Sequence, residues 1–222
     1  MTRTDIIDLC TKKLGLTDAT TLTIAGTFFD ARHAMIWNEE LWRQTRYQES
    51  IAVTPPTQDV TLGANCEFVT GCRWAGAYEL LPLSDSAALA LDPVGYDATG
   101  VVLGFVPLGK TSAGLAQIRL MRIPTEAKTL LVFGKRKVLA LSGGHETPIP
   151  GEDMALIEFL MGDLYEWLRQ LSKAQYFNSK AVLLLAKMKE IETAQTAEIR
   201  RLVPTVQMLD GDYHGDSLNP LG

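Results

Sequence analysis

The longest unbroken pattern in the chain lies between residues 151 and 202 and predicts helix throughout. Glu152 and Asp153 stand at its start, where the positive end of the helix dipole stabilises negative charge. No proline follows until Pro204. Apolar residues recur every three or four positions, the spacing of one helix face: Met154, Ile157, Leu160, Leu164, Trp167, Leu171, Ala174, Ala181, Leu184, Leu185, Met188 and Ile191.

The length of this stretch leaves two arrangements open. A single helix of about 50 residues would extend roughly 75 Å, which is longer than a compact domain of this size is wide. A break near Ser172 or at Asn178-Ser179 would instead give a helical hairpin. In both arrangements the apolar stripe needs a large partner surface, from the rest of the chain, from another copy, or from both.

Composition excludes several classes of protein. The chain has 222 residues, 46% of them apolar, and a net charge of -5, without the Lys/Arg-rich block that is typical of a nucleic-acid reader. No apolar run approaches the length of a membrane span, and no apolar segment after Met1 predicts a signal peptide. Cys10, Cys66 and Cys72 have no metal or redox spacing, so we expect free or buried thiols in a reducing compartment.

The chain begins with two predicted helices. Thr4 is a suitable N-cap for the first, which ends at Gly15. The second is predicted from about residue 23 to residue 43, with an apolar stripe that includes Phe28 and Met35. Trp37 and Trp42 lie on its flanks, where core packing and an interface anchor are both open interpretations.

After the helices, short apolar segments alternate with Gly, Pro and Asp and predict strands. The segments are 51–53, 59–62, 66–69, 78–81, 100–106, 116–121 and 129–134. The fold class is therefore α+β, in which two N-terminal helices pack as a bundle with a long C-terminal helix or hairpin, and an antiparallel β sandwich or barrel-like unit is inserted. We expect a helical bundle domain formed by residues 1–47 and 139–203, an insert domain at 48–138 and an extended arm at 204–222.

One segment matches a phosphate-binding motif. Residues 104–111 read G-F-V-P-L-G-K-T, which satisfies G-x-x-x-x-G-K-[ST]. That site needs a helix after the loop, but residues 117–121 alternate polar and apolar side chains as a strand does. We therefore expect a Gly/Pro turn between antiparallel strands, and nucleotide binding remains the alternative.

Other motifs favour neither catalysis nor metal binding. His33, His145 and His214 lie in separate segments, and no nucleophile accompanies them at a consistent spacing. Asp210 and Asp212 resemble the start of a calcium loop that lacks its closing Glu. The sequence predicts no catalytic residue, no metal and no cofactor.

Several short tracts together resemble the head-to-tail adaptors of short-tailed phages, of the tail tubular protein A type. The tracts are W-N-E-E-L-W at 37–42, Y-E-L-L-P at 78–82, R-I-P at 122–124, L-L-V-F-G at 130–134, T-P-I-P at 147–150 and V-P at 203–204. The resemblance covers about residues 1–205. The Gly-rich region between 94 and 114 departs from the compact members of that family.

The resemblance implies a structural virion protein of the phage neck and not an enzyme. Such adaptors form a ring of about twelve copies between the portal protein and the tail tube or nozzle, and double-stranded DNA passes through the bore without specific binding. Another neck or tail-completion protein is the alternative. The arm residues implied to contact the portal are Val206, Met208, Leu209, Tyr213, Leu218, Pro220 and Leu221.

Overall fold

A computed structural model describes residues 1–91, 98–142 and 144–202, with side chains for all of these except 91 and 196–202. The chain divides into two compact units, residues 1–149 and 150–222. The predicted bundle domain of residues 1–47 and 139–203, separate from an insert at 48–138, stays a prediction.

The architecture is α+β, as the sequence predicts. The first unit contains α1 (Arg3–Lys13), α2 (Ala19–Glu39), a 3-10 turn (Arg43–Thr45), β1 (Arg46–Val53), β2 (Asp59–Thr61), β3 (Cys66–Trp74), β4 (Glu79–Pro82), α3 (Asp85–Leu91), β5 (Gly104–Lys110), β6 (Ala116–Leu120) and β7 (Lys128–Arg136). The second contains α4 (Glu152–Trp167) and α5 (Leu171–Leu202).

Helix α1 is capped two residues earlier than predicted. The cap is Thr2, whose hydroxyl accepts the Asp5 N–H at 3.2 Å while the Asp5 carboxylate accepts the Thr2 N–H at 3.1 Å. This reciprocal pair satisfies two amides that a helix start leaves without partners. The prediction that Thr4 caps the helix is therefore wrong.

Helix α2 also begins earlier than predicted, because the Asp18 carboxylate caps it by accepting the Thr21 N–H at 2.9 Å. Trp37 and Trp42 are both buried, with 2% and 1% of their surface exposed. The Trp42 indole N–H donates to the Ile36 carbonyl at 2.8 Å. Both tryptophans are thus core residues in this chain, and the interface-anchor interpretation is wrong.

Each of the seven predicted strand segments overlaps a strand of one sheet. Their order is β1-β7-β3-β4-β5-β6-β2. Every neighbouring pair is antiparallel except β4 and β5, which pair in parallel through Leu81 with Gly104 and Pro82 with Phe105. The prediction of a wholly antiparallel unit is therefore wrong at this pair.

The parallel pair follows from the connection between its strands. A parallel neighbour requires a crossover of a dozen or more residues, usually containing a helix, and α3 lies in that connection. The Ser84 hydroxyl accepts the Ala87 N–H at 3.2 Å at the start of α3. The sequence carries this signal, because a serine cap precedes an Ala-rich segment at 87–91.

The sheet is nearly closed around one apolar core. Strands β1 and β2 are the two edges of the sheet, and a contact joins the residues beside them. The Tyr47 hydroxyl on β1 donates to the Glu49 carboxylate, which also accepts the N–H of Gly63, just after β2, at 3.0 Å. The buried residues of this core are Tyr47, Val53, Val60, Leu62, Cys66, Cys72, Trp74, Leu80, Val102, Phe105, Ala116, Ile118, Leu120, Leu130 and Val132.

In the second unit the long helical stretch is broken into two helices between residues 168 and 170. Arg169 has a φ of 59°, and the Gln170 N–H donates to the Tyr165 carbonyl at 2.8 Å. The hairpin alternative is therefore confirmed over the single helix. The predicted stripe is only partly buried: Met154, Trp167, Leu171 and Ile191 are 43–61% exposed.

Candidate docking surfaces

Among the side chains that the structure describes in the second unit, the most exposed apolar surface lies on α5. The buried side of this helix carries Ala174, Ala181, Leu185 and Met188. At 100° per residue, the opposite side carries two rows that we call the outer face of α5. One row is Tyr176 and Leu183, with 58% and 64% exposure, and the other is the exposed lysines Lys173, Lys180 and Lys187. Ile191, which is 57% exposed, lies at the end of the lysine row.

Aromatic rings hold two of these lysines in place. The Lys173 ammonium lies 5.1 Å from the centre of the Tyr165 ring, which stacks on Phe177 at 5.3 Å. The Lys180 ammonium lies 5.2 Å from the Tyr176 ring and 3.3 Å from a carboxylate oxygen of Glu158. Charge and ring pairing fix the positions of these side chains while leaving them exposed.

Helix α4 is too short to cover α5. It has 16 residues and α5 has 32, so at about 1.5 Å per residue α4 spans roughly 24 Å of a helix of roughly 48 Å. Exposed apolar side chains on so long a helix are the kind of surface that a protein partner covers.

A second exposed apolar surface lies in the first unit, beside β4. Leu81, Val101 and Leu103 are 60%, 60% and 45% exposed, and the Leu81 N–H donates to the Leu103 carbonyl at 3.2 Å. A cavity of about 130 Å³ borders it, with Tyr78 and Lys128 among its lining residues. The Tyr78 hydroxyl donates to the Val102 carbonyl at 3.0 Å, so the Y-E-L-L-P tract anchors this region of the sheet.

The segment that matches the phosphate-binding motif is a strand. Residues 104–110 form β5, which pairs with β6 across a turn at 111–115. Its backbone is thus used in the sheet and no helix follows it. The Lys110 ammonium lies 2.5 Å from the Glu67 carboxylate. The expectation of a Gly/Pro turn at this motif is wrong, because residues 104–110 are themselves a strand and the turn to β6 follows them. The geometry of a phosphate-binding loop is absent from these described residues.

The two described histidines lie in separate surroundings. His33 is buried, and its Nε2 lies 3.0 Å from the Leu139 carbonyl. His145 Nδ1 lies 2.8 Å from the hydroxyl of Ser142, a neighbour that sequence reasoning missed. Both residues belong to an exposed turn, in which the backbone N–H of His145 donates to the Ser142 carbonyl. Among the described residues, no three His, Cys, Asp or Glu side chains are grouped so as to hold a metal ion.

The three cysteines are free and buried. Burial is the main cause that raises the pKa of Cys66 to about 11 and that of Cys72 to about 12. Because the thiolate is the reactive form, thiols with such pKa values are poor nucleophiles. The prediction of free or buried thiols is confirmed.

The arm residues that the resemblance implies in portal binding lie outside the described residues: Val206, Met208, Leu209, Tyr213, Leu218, Pro220 and Leu221. No protein-family model matches the chain, and no curated protein matches it significantly. None of the helices within residues 1–91, 98–142 and 144–202 combines the length and apolar character needed to cross a membrane.

Proposed function

We propose that the chain is a structural virion protein, a head-to-tail adaptor that joins a phage portal to the tail tube or nozzle. In this proposal about twelve copies form a ring in the virion neck, double-stranded DNA passes through the bore, and the chain has no catalytic activity. The proposal combines the resemblance of the sequence tracts with the surface of α5.

The observation that carries the proposal is the outer face of α5. Three apolar side chains on it are more than half exposed, on a helix of 32 residues. A closed ring requires each copy to present one surface to the next copy on each side. The exposed apolar side chains between Tyr176 and Ile191 supply such a surface.

The portal contact is assigned to the arm at residues 204–222. This segment is too short to bury a core of its own, so its apolar side chains gain contact area only against another surface. We expect immobilised portal protein from the same phage to retain the full chain. A variant that ends at Thr205 should be retained far less.

The truncated variant should keep the circular dichroism spectrum of the full chain, which makes it a fair comparison. Equal retention of both chains would remove the arm from the portal contact. Failure of portal protein to retain the full chain at all would contradict the adaptor function.

A further inference from the structure

The outer face of α5 combines positive charge with apolar side chains at regular spacing. Its lysines, at positions 173, 180 and 187, recur every seven residues, about 10.5 Å apart along the helix. The exposed side chains of Tyr176 and Leu183 lie beside them, and exposed Ile191 lies at the end of the lysine row.

The acidic side chains nearby only partly balance these lysines. Glu158 on α4 pairs with Lys180, whose side chain stays 45% exposed, and the exposed Glu190 lies three residues after Lys187. The face therefore fits a partner segment that offers several carboxylates together with apolar side chains.

The chain itself contains such a segment directly after α5. Residues 203–222 include Asp210, Asp212 and Asp216 and no lysine or arginine. The same residues include Val206, Met208, Leu209, Tyr213, Leu218 and Leu221. In charge and in apolar content the segment complements the outer face of α5.

The segment is long enough to reach every lysine of that face by turning back at the end of α5. Lys187 lies about 22 Å before Leu202 along the helix and Lys173 about 44 Å before it. A fully extended chain can span at most about 26–29 Å from residue 202 to Asp210 and about 46–50 Å from residue 202 to Asp216. The spread of the aspartates thus matches that of the lysines.

We propose that residues 203–222 fold back and dock on the outer face of α5 of their own chain, with the aspartates paired to the lysine row and the apolar side chains on Tyr176, Leu183 and Ile191. The contact does not depend on the adaptor function. If the chain is an adaptor, the contact hides both the arm and the ring-forming face of the free chain, so that portal protein and neighbouring copies must displace it.

Carbodiimide coupling of the full-length free chain, followed by mass spectrometry, tests this contact. The reagent joins lysine amines to carboxylates that touch them, so we expect Lys187 linked to Asp210 or Asp212, and Lys180 or Lys173 linked to Asp216. Pairs of Lys12 with Asp8 at 2.8 Å and of Lys110 with Glu67 at 2.5 Å are the internal positive controls. An equal mixture of ¹⁴N- and ¹⁵N-labelled chains should give tail linkages of one label only.

Charge reversal sharpens the test. Lys173→Glu, Lys180→Glu and Lys187→Glu combined remove the amines that the reagent couples, so tail linkage at these positions is lost whatever the contact. Adding Asp210→Lys, Asp212→Lys and Asp216→Lys moves the amines to the tail and should restore the linkage, because opposite charges again face each other. Lys13→Glu on α1 should leave the tail linkage of the parent chain unchanged. High salt should also reduce it, since the screening length falls to about 3 Å at 1 M.

Two outcomes would overturn the proposal. The first is formation of the Lys12–Asp8 and Lys110–Glu67 linkages without any tail linkage. The second is tail linkages that carry mixed labels, which would place the segment on a second copy. Neither outcome bears on whether the chain is present in phage particles, so the adaptor function is tested separately.

Discussion

Asn178 on α5 lies directly against Gly162 on α4. A β-carbon at position 162 would overlap the Asn178 side-chain oxygen and come within 2.8 Å of its Cγ. The two helices of the hairpin therefore approach closely where one of them has no side chain, and this contact fixes their register.

Gly162→Ala should destabilise the hairpin. Alanine alone would favour the helix by about 1 kcal/mol, but overpacking a close contact costs about 1–3 kcal/mol, so we expect a net loss of roughly 1 kcal/mol in the free energy of unfolding. Urea denaturation followed by helical circular dichroism measures it. In the double variant with Asn178→Ala the clash disappears and stability should recover; a single variant as stable as the parent chain would show that the helices separate freely.

Gly134→Ala should disturb the pairing of β3 with β7. A β-carbon at Gly134 would overlap the Phe68 carbonyl oxygen and lie 3.2 Å from the Val69 Cα, and backbone atoms within a sheet cannot move aside. We expect a loss of about 2 kcal/mol or more, measured as a fall in melting temperature. Gly71→Ala on β3 is the matched control, because nothing lies within 4 Å of its added carbon; equal effects of the two changes would refute this reasoning.

Asp59 and Arg119 should make a small contribution to stability that depends on pH. The guanidinium donates to both carboxylate oxygens, at 2.6 and 2.8 Å, and lowers the pKa of Asp59 below its ordinary 3.8. The contribution is therefore complete above the ordinary pKa and is lost as pH falls through the lowered pKa of the folded chain. Because both side chains are more than a third exposed, we expect Asp59→Asn to cost less than about 1 kcal/mol at neutral pH.

Melting curves from pH 7 down to pH 2 measure this effect. The difference between the parent chain and Asp59→Asn should shrink in acid. A difference that stays constant across this range would show that the carboxylate charge contributes nothing.

Leu183→Glu on the outer face of α5 should prevent ring formation without unfolding the chain. Leu183 is 64% exposed, so a charged side chain there remains solvated in the free chain but would be buried between copies at a high cost. Native mass spectrometry in the presence of portal protein measures the number of copies per assembly. Val182→Glu is the control, since Val182 is 56% exposed but lies about 100° around the helix from Leu183. If Leu183→Glu forms rings as well as the parent chain does, this face is not the contact between copies.

The sequence predicts the strands better than their connections. Alternating polar and apolar residues between Gly, Pro and Asp locate all seven strands, because this pattern reflects local geometry. Pairing direction depends on the path of the connection. The crossover between β4 and β5 was not predicted, because the Ser84 cap and the Ala-rich segment after it were not interpreted as a helix. The phosphate-binding motif shows the same limit. The residue types at 104–111 match a loop motif, but the backbone of these residues pairs within a sheet.

The sequence predicts where helices lie better than it predicts which of their side chains are buried. Leu183, Leu184 and Leu185 are consecutive and chemically alike, yet Leu185 is 8% exposed and Leu183 is 64% exposed. Helical spacing identifies faces, whereas packing of α4 against one of them decides which face is buried. For this reason the outer face of α5 could not be distinguished from the buried face by sequence alone, and the predicted arm contacts lie outside the described residues.

The most direct test of the adaptor function is quantitative mass spectrometry of purified phage particles from the source of the chain, with copies counted relative to the major capsid protein. We expect about a dozen copies per particle, the number that a single neck ring requires. Absence of the chain from particles, with the protein present only in infected cells, would contradict the account.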